Sequence, residues 1–219
     1  MFSPALILGR PGPKITSLGS LISGSDLSSY SLGNITVPRA GILVVFIGGA
    51  RTGAGTRTVS SISIDGNSAA ADIATAAANE CAAIRGRVVA AGNIAVAAAF
   101  SGSMQGCGAW CWLIEGYVSA TPRDSYAATP GSTSAAHQTI MDYTSGDGGV
   151  FGDYMLRGTT VTTVTVGTFD GVTLTEDTGL DYDVAGGHYE YATATEANKT
   201  IGFTSSGYNA GAACGLVYR

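Results

Sequence analysis

From residue 26 onward, apolar and polar positions trade places in short runs punctuated by turn residues. Ser61-Ile62-Ser63-Ile64 alternates cleanly and stops at Asp65-Gly66, a pair suited to a two-residue hairpin turn. Val161 to Val166 alternates with threonine, and Tyr189 to Thr195 alternates over a full strand length. Gly41-Ile42-Leu43-Val44-Val45-Phe46-Ile47 is apolar throughout and bounded by glycine, which predicts a strand covered on both faces. In Ala109 to Ile114 a period of two sends Trp110 and Trp112 to one side and Cys111 and Leu113 to the other. Residues 68–78 are rich in alanine and suit a helix on propensity, whereas the related stretch Val172–Thr175 does not. Strand is therefore expected up to Ala71, with a short helix around 74–83 left open. Ten to twelve short strands with regular turn signals predict an all-β sandwich.

The second half of the chain echoes the first. Phe100, Ser103, Gly108, Ala109, Cys111 and Leu113 recur without a gap as Phe203, Ser206, Gly211, Ala212, Cys214 and Leu216. Upstream, Asp65-Gly66 answers Asp170-Gly171, and Gly41–Val44 answers Gly149–Gly152, the offset drifting from 103 to 105 to 108. A period of about 100 residues exceeds any solenoid or propeller repeat and marks a duplicated half. The expected architecture is a jelly-roll-like β-sandwich made jointly from two tandem, pseudo-symmetric halves. An extended arm covers 1–20, with Arg10-Pro11-Gly12-Pro13 forbidding helix. Half one then covers about 26–116, a crossing segment 117–137, and half two about 138–219. One shared sandwich is expected in place of two beads, because Trp110 and Trp112 need a large partner surface.

Composition narrows the partners. Charged residues are 12% of the 219, half the usual share, and the formal net charge is −5. The 11 basic residues are scattered, so no basic stripe exists to follow a phosphate backbone, and nucleic acid and anionic membranes are not expected partners. No apolar run reaches membrane-spanning length, and the first residues lack the charged start of a signal peptide, so synthesis in the cytosol is expected. A surface of Gly, Ala, Ser and Thr carries little charge to repel neighbours, which predicts packing against other proteins.

Candidate chemistry is sparse. The four cysteines, Cys81, Cys107, Cys111 and Cys214, show no zinc spacing; they read as buried thiols or as a Cys111–Cys214 or intermolecular bridge. His137 and His188 stand apart from any nucleophile motif. Glu176, Asp177, Asp181, Asp183 and Glu190 form one acidic cluster, in which Asp181 and Asp183 are a weak Ca²⁺ candidate and, with Glu190, the first residues to test for paired-carboxylate hydrolysis. No metal, cofactor or catalytic set is assigned. Of the tyrosines, Tyr126, Tyr182, Tyr189 and Tyr208 are candidates for stacking on a sugar or lining a protein interface.

Two stretches carry a resemblance. Ile35-Thr36-Val37-Pro38-Arg39-Ala40-Gly41-Ile42-Leu43-Val44-Val45-Phe46 resembles the opening strand of small β-sandwich virion proteins of tailed phages and gene-transfer-agent-like particles. Ala90-Ala91-Gly92-Asn93-Ile94-Ala95-Val96, followed by Phe100-Ser101-Gly102, resembles their later hairpin. The family's Gly-Asp before the apolar strand is Ala40-Gly41 here. The resemblance implies a non-enzymatic decoration, spike or fibre component located in the virion, whose partners are copies of itself and other virion proteins. Expected contact residues are Phe2, Leu6, Ile7, Leu8, Arg10 and Ile15 of the arm. The alternative is a host-surface or glycan-binding module of the same particle.

Overall fold

The computed structural model describes residues 12–51, 55–129, 136–157, 164–166, 168–169, 172–173, 175–176, 184–190, 192, 195–205 and 208–219. Every regular element in them is a strand. The first half contains β1 (Lys14–Ser23), β2 (Leu27–Val37), β3 (Gly41–Ala50), β4 (Val59–Ile64), β5 (Asn67–Ala69), β6 (Ile73–Ala76), β7 (Glu80–Val89), β8 (Gly92–Met104) and β9 (Gly106–Glu115). The second contains β10 (Asp124–Ala128), β11 (Ala136–Tyr143), β12 (Gly148–Arg157), β13 (Val164–Val166), β14 (Thr168–Phe169), β15 (Val172–Thr173), β16 (Thr175–Glu176), β17 (Val184–Tyr189), β18 (Glu196–Ser205) and β19 (Tyr208–Tyr218).

Pairing keeps the halves apart. The first half forms an inner sheet in the order β1-β9-β3-β7-β6 and an outer sheet β2-β8-β4-β5. The second forms an inner sheet β10-β19-β12-β17-β16, an outer sheet β11-β18-β13 and a small pair β14-β15. If β1–β4 are matched to β10–β13 and β6–β9 to β16–β19, the inner sheets repeat strand for strand, and β2-β8-β4 of the first outer sheet repeats as β11-β18-β13. The two halves were expected to share a single two-layer sandwich. Instead each builds its own pair of sheets, and the inner sheets then pack on one another. The layers run outer one, inner one, inner two, outer two.

Alternation explains the stacking. On β3, Leu43, Val45 and Ile47 join Ile62, Ile64 and Val96 in a core between outer and inner sheets of half one. The other face of β3, Ile42, Val44 and Phe46, joins Trp110, Trp112, Val150, Tyr154, Leu216 and Tyr218 in a second core shared by the two halves. Residues 42–47 are fully buried, as the unbroken apolar run predicts, because an antiparallel sheet here is covered on both sides. In half two, Met141 of β11 lies over Gly215 of β19 and the buried Tyr143 meets Tyr189 edge to face at 4.9 Å.

The sequence echo and the fold differ by one residue. Ala109, Cys111 and Leu113 face their own outer sheet, whereas their counterparts Ala212, Cys214 and Leu216 face the other half. A shift of one residue flips every side chain of a strand. Gln105 alone separates β8 from β9, while residues 206–207 separate β18 from β19, which supplies the odd residue.

Three local expectations change. The arm expected over 1–20 does not hold for residues 14–20, which belong to β1, paired with β9 from Lys14 opposite Glu115 to Ser23 opposite Cys107; residues 1–11 lie outside the described residues. The crossing segment contains β10, which pairs with β19. No helix forms over 74–83; β6 and β7 lie there, because pairing and burial of Ile84, Ala82 and Cys81 outweigh alanine's helix propensity. The Asp65-Gly66 turn stands as expected, with both residues at positive φ (54° and 71°) between β4 and β5.

Candidate functional site

The most distinctive surface is the outward side of β2, β8, β4 and β5. Their apolar positions, Tyr30, Val96, Ala98, Ile62 and Ile64, are consumed by the core. The alternate positions are serine and alanine. Across the sheet, Ser29 stands opposite Ala99 and Ala99 opposite Ser61. One step along, Ser31, Ala97, Ser63 and Ser68 form a second row. Neighbouring strands lie about 4.8 Å apart, so these rows make a flat lattice of hydroxyls and methyls. A shallow hollow of about 280 Å³ opens over it. Its one titratable lining residue, Tyr30, points its hydroxyl inward: the oxygen lies 2.7 Å from the carbonyls of both Met104 and Ser25 and accepts from the Leu27 N–H. Burial raises that phenol's pKa. With no base in the lining, the serines are ordinary hydroxyls. The face can exchange hydrogen bonds and admit a flat partner closely.

Charged groups elsewhere serve the framework. Arg85, buried on β7, donates through Nη1 to the carbonyls of Ile62 and Asn67 (2.6 and 2.7 Å) and through Nη2 to Asn67 Oδ1 (2.6 Å). Arg87 donates to Ile64 O and lies 3.8 Å from Asp65. These two side chains close the sandwich edge and hold the β4–β5 turn. Arg123 pairs with the fully buried Asp147, whose Oδ2 also accepts from Thr144 N–H and Oγ1. That cluster ties the start of β10 to the β11–β12 turn.

Among the described residues the acidic and histidine candidates are not brought together. Asp181, Tyr182 and Asp183 lie outside the described residues, as do Phe2, Leu6, Ile7, Leu8 and Arg10. Glu190 accepts from the Ile15 N–H at 3.2 Å, a link between the halves. His188 and Asp153 are both buried, but they occupy opposite faces of the inner sheet: His188 pairs with Val150 and Asp153 with Ala185, three residues out of step. Among the described residues no group of three or more His, Cys, Asp or Glu could hold a metal ion. His137 lies on β11 opposite Phe203. Ile15, expected as an assembly contact, is 2% exposed and belongs to the shared core.

Of the tyrosine candidates, Tyr189 is shown buried. Tyr30, Tyr143, Tyr154, Tyr189 and Tyr218 are buried, and Tyr126 is half-buried on β10. Tyr208 opens β19, and its side chain lies outside the described residues. All four cysteines are free and buried. Cys111 and Cys214 face different cores, so the bridge considered between them does not form. Burial pushes the Cys81 and Cys111 thiols up to about 12 and raises Cys107 and Cys214 as well. The Ser/Ala face escaped the sequence reading, although its signal was present: Ser61 and Ser63 alternate with isoleucine, and Ala95, Ala97 and Ala99 fill alternate positions of one strand.

No known protein-family description matches the chain, and comparison with curated proteins finds no match.

Proposed function

We propose that the chain is a non-enzymatic structural subunit of a phage-like particle, a head decoration, spike or tail-fibre component, with each half a jelly roll arising from an internal duplication. It resides in the virion and packs on copies of itself and companion proteins. The observation that carries this reading is the Ser/Ala lattice on the outward side of β2, β8, β4 and β5. Small neutral side chains cost little entropy to order and let two surfaces approach closely, and no charge opposes the contact. Many identical copies let weak contacts act together. The resemblance of residues 35–46 and 90–102 to virion sandwich proteins supports the same reading. The glycan-binding alternative needs exposed rings, and five tyrosines are occupied in cores.

Sedimentation of the purified chain over a concentration series tests the proposal. Concentration-dependent assembly is expected, and Ser63→Arg with Ala97→Arg should abolish it while leaving the circular dichroism and melting temperature unchanged. A chain that stays monomeric throughout, or a variant that assembles as well as the parent, would sink it.

A further inference from the structure

The inner sheets meet through four aromatic side chains, each seated on a glycine of the opposite half. A Cβ built on Gly152 would lie 2.3 Å from Phe46, and one on Gly48 would lie 2.1 Å from Tyr154. One built on Gly186 would lie 2.5 Å from Trp110, and one on Gly86 would lie 2.2 Å from the Tyr218 hydroxyl. All four aromatics are at most 3% exposed. The pattern is reciprocal. A ring of β3 sits on β12 and a ring of β12 sits on β3. A ring of β9 sits on β17, and a ring of β19, the counterpart of β9, sits on β7, the counterpart of β17.

The geometry points to an interaction surface that recognises one partner: the inner face of each half binds the other half and holds it without the peptide connection between them. Each of these contacts fits a ring of one half into the space left by a glycine of the other. Close-packed interiors tolerate neither overlap nor gap, so the fit is specific to this pair of faces. The connection is also dispensable in place. Among the described residues no strand pairs across the halves, and residues 118–121 between β9 and β10 are exposed.

Two experiments test this on the full chain. In the first, a specific protease site is inserted at Ser119–Ala120 and the folded protein is cut. The expected product elutes and sediments as one particle of the uncut mass, 22.0 kDa plus the insertion, and comes apart only in denaturant. Separation or precipitation of the cut protein, with the uncut control soluble, overturns the proposal. The second is a double-mutant cycle between Gly86 and Tyr218. Gly86→Ala should lower the melting temperature by about 3–8 °C, because the new methyl meets the Tyr218 oxygen. Tyr218→Phe removes that oxygen, which is buried with no hydrogen-bond partner among the described residues, and should leave stability equal or higher. In the Tyr218→Phe background the next atoms stand at 3.2 Å (Ile42) and 3.4 Å (the Tyr218 ring carbon), so Gly86→Ala should there cost clearly less than in the parent. An equal loss in both backgrounds would show that the ring and the glycine do not recognise one another.

Discussion

At Gly48 a methyl group would have to occupy space held by the Tyr154 Cβ, 2.1 Å away, with a strand backbone behind each. Neither side can yield as the tip of a lysine can. Gly48→Ala should therefore cost about 3 kcal/mol, the upper range for overpacking, measured by denaturant melts. Gly24→Ala is the control: nothing lies within 4 Å of its added methyl, and the change should stay within about 0.5 kcal/mol. The buried thiols make a second residue-scale prediction. Their ordinary value is 9.0, and folding raises all four. Below pH 9 both folded and unfolded chains keep the protons, and stability is flat in this respect. Between 9 and about 12 the unfolded chain loses protons that the folded chain retains, so stability falls as pH rises. Each thiol contributes a slope of roughly 1.4 kcal/mol per pH unit in that window. Cys111→Ala should remove one thiol's share of the slope between pH 9 and 11; an unchanged slope would mean that Cys111 is not withheld from solvent.

At the scale of the element, β7 joins the core to the sandwich edge. Beyond the apolar Cys81 and Ala83, the same face continues as Arg85 and Arg87, and their guanidinium groups take over carbonyls of β4 and of the β4–β5 turn. Burial lowers the Arg85 pKa, with Arg87 adding to the effect, yet arginine stays charged at any working pH. Arg85→Met should cost about 2–3 kcal/mol by stranding two carbonyls and Asn67, and Arg85→Lys should recover little, since an ammonium cannot fork to three acceptors in a plane. Proteolysis within residues 59–69 would report the loosened turn. Strand positions were legible from the pattern of apolar residues: β4 and its Asp65-Gly66 turn from clean alternation, β3 from its unbroken apolar run, and β9 from the period of two that separates its tryptophans from Cys111 and Leu113. Arg85 was not legible, because a charged residue in a strand reads as solvated until its acceptors are known. Nor was the fate of Ile15. A Pro/Gly-rich leader looks like a free arm, whereas β1 finds the open edge of β9 and lays Ile15 into the shared core. Ile15→Ala should accordingly cost about 2–4 kcal/mol, read as a lowered denaturant midpoint with no change in slope.

Over the whole molecule, two stretches of sequence that echo one another could be arranged as one joint sandwich, as two beads or as two sandwiches back to back. Periodicity does not separate these, because each requires the same alternation. What separates them is the face of β9 that carries Trp110 and Trp112. The sequence places both rings on one side; the structure shows that this side is covered by half two. The Ser/Ala lattice stayed hidden for a related reason: small residues at alternate positions look alike whether they face solvent or a tightly packed neighbour, and only the layer order tells which sheet is outermost. The shared core binds the halves into one cooperative unit, since unfolding either half exposes Phe46, Trp110 and Trp112 or Tyr154, Leu216 and Tyr218 of the other, each worth roughly 1.5–3 kcal/mol in burial. Calorimetry should therefore show a single transition whose calorimetric and van't Hoff enthalpies agree. The chain has two tryptophans, both on this interface, so their fluorescence reports the junction and the far-ultraviolet signal reports the strands. Coincident melts are expected. A tryptophan transition that precedes the loss of strand signal would mean that the sandwiches part before either unfolds, and that each half carries its own stability.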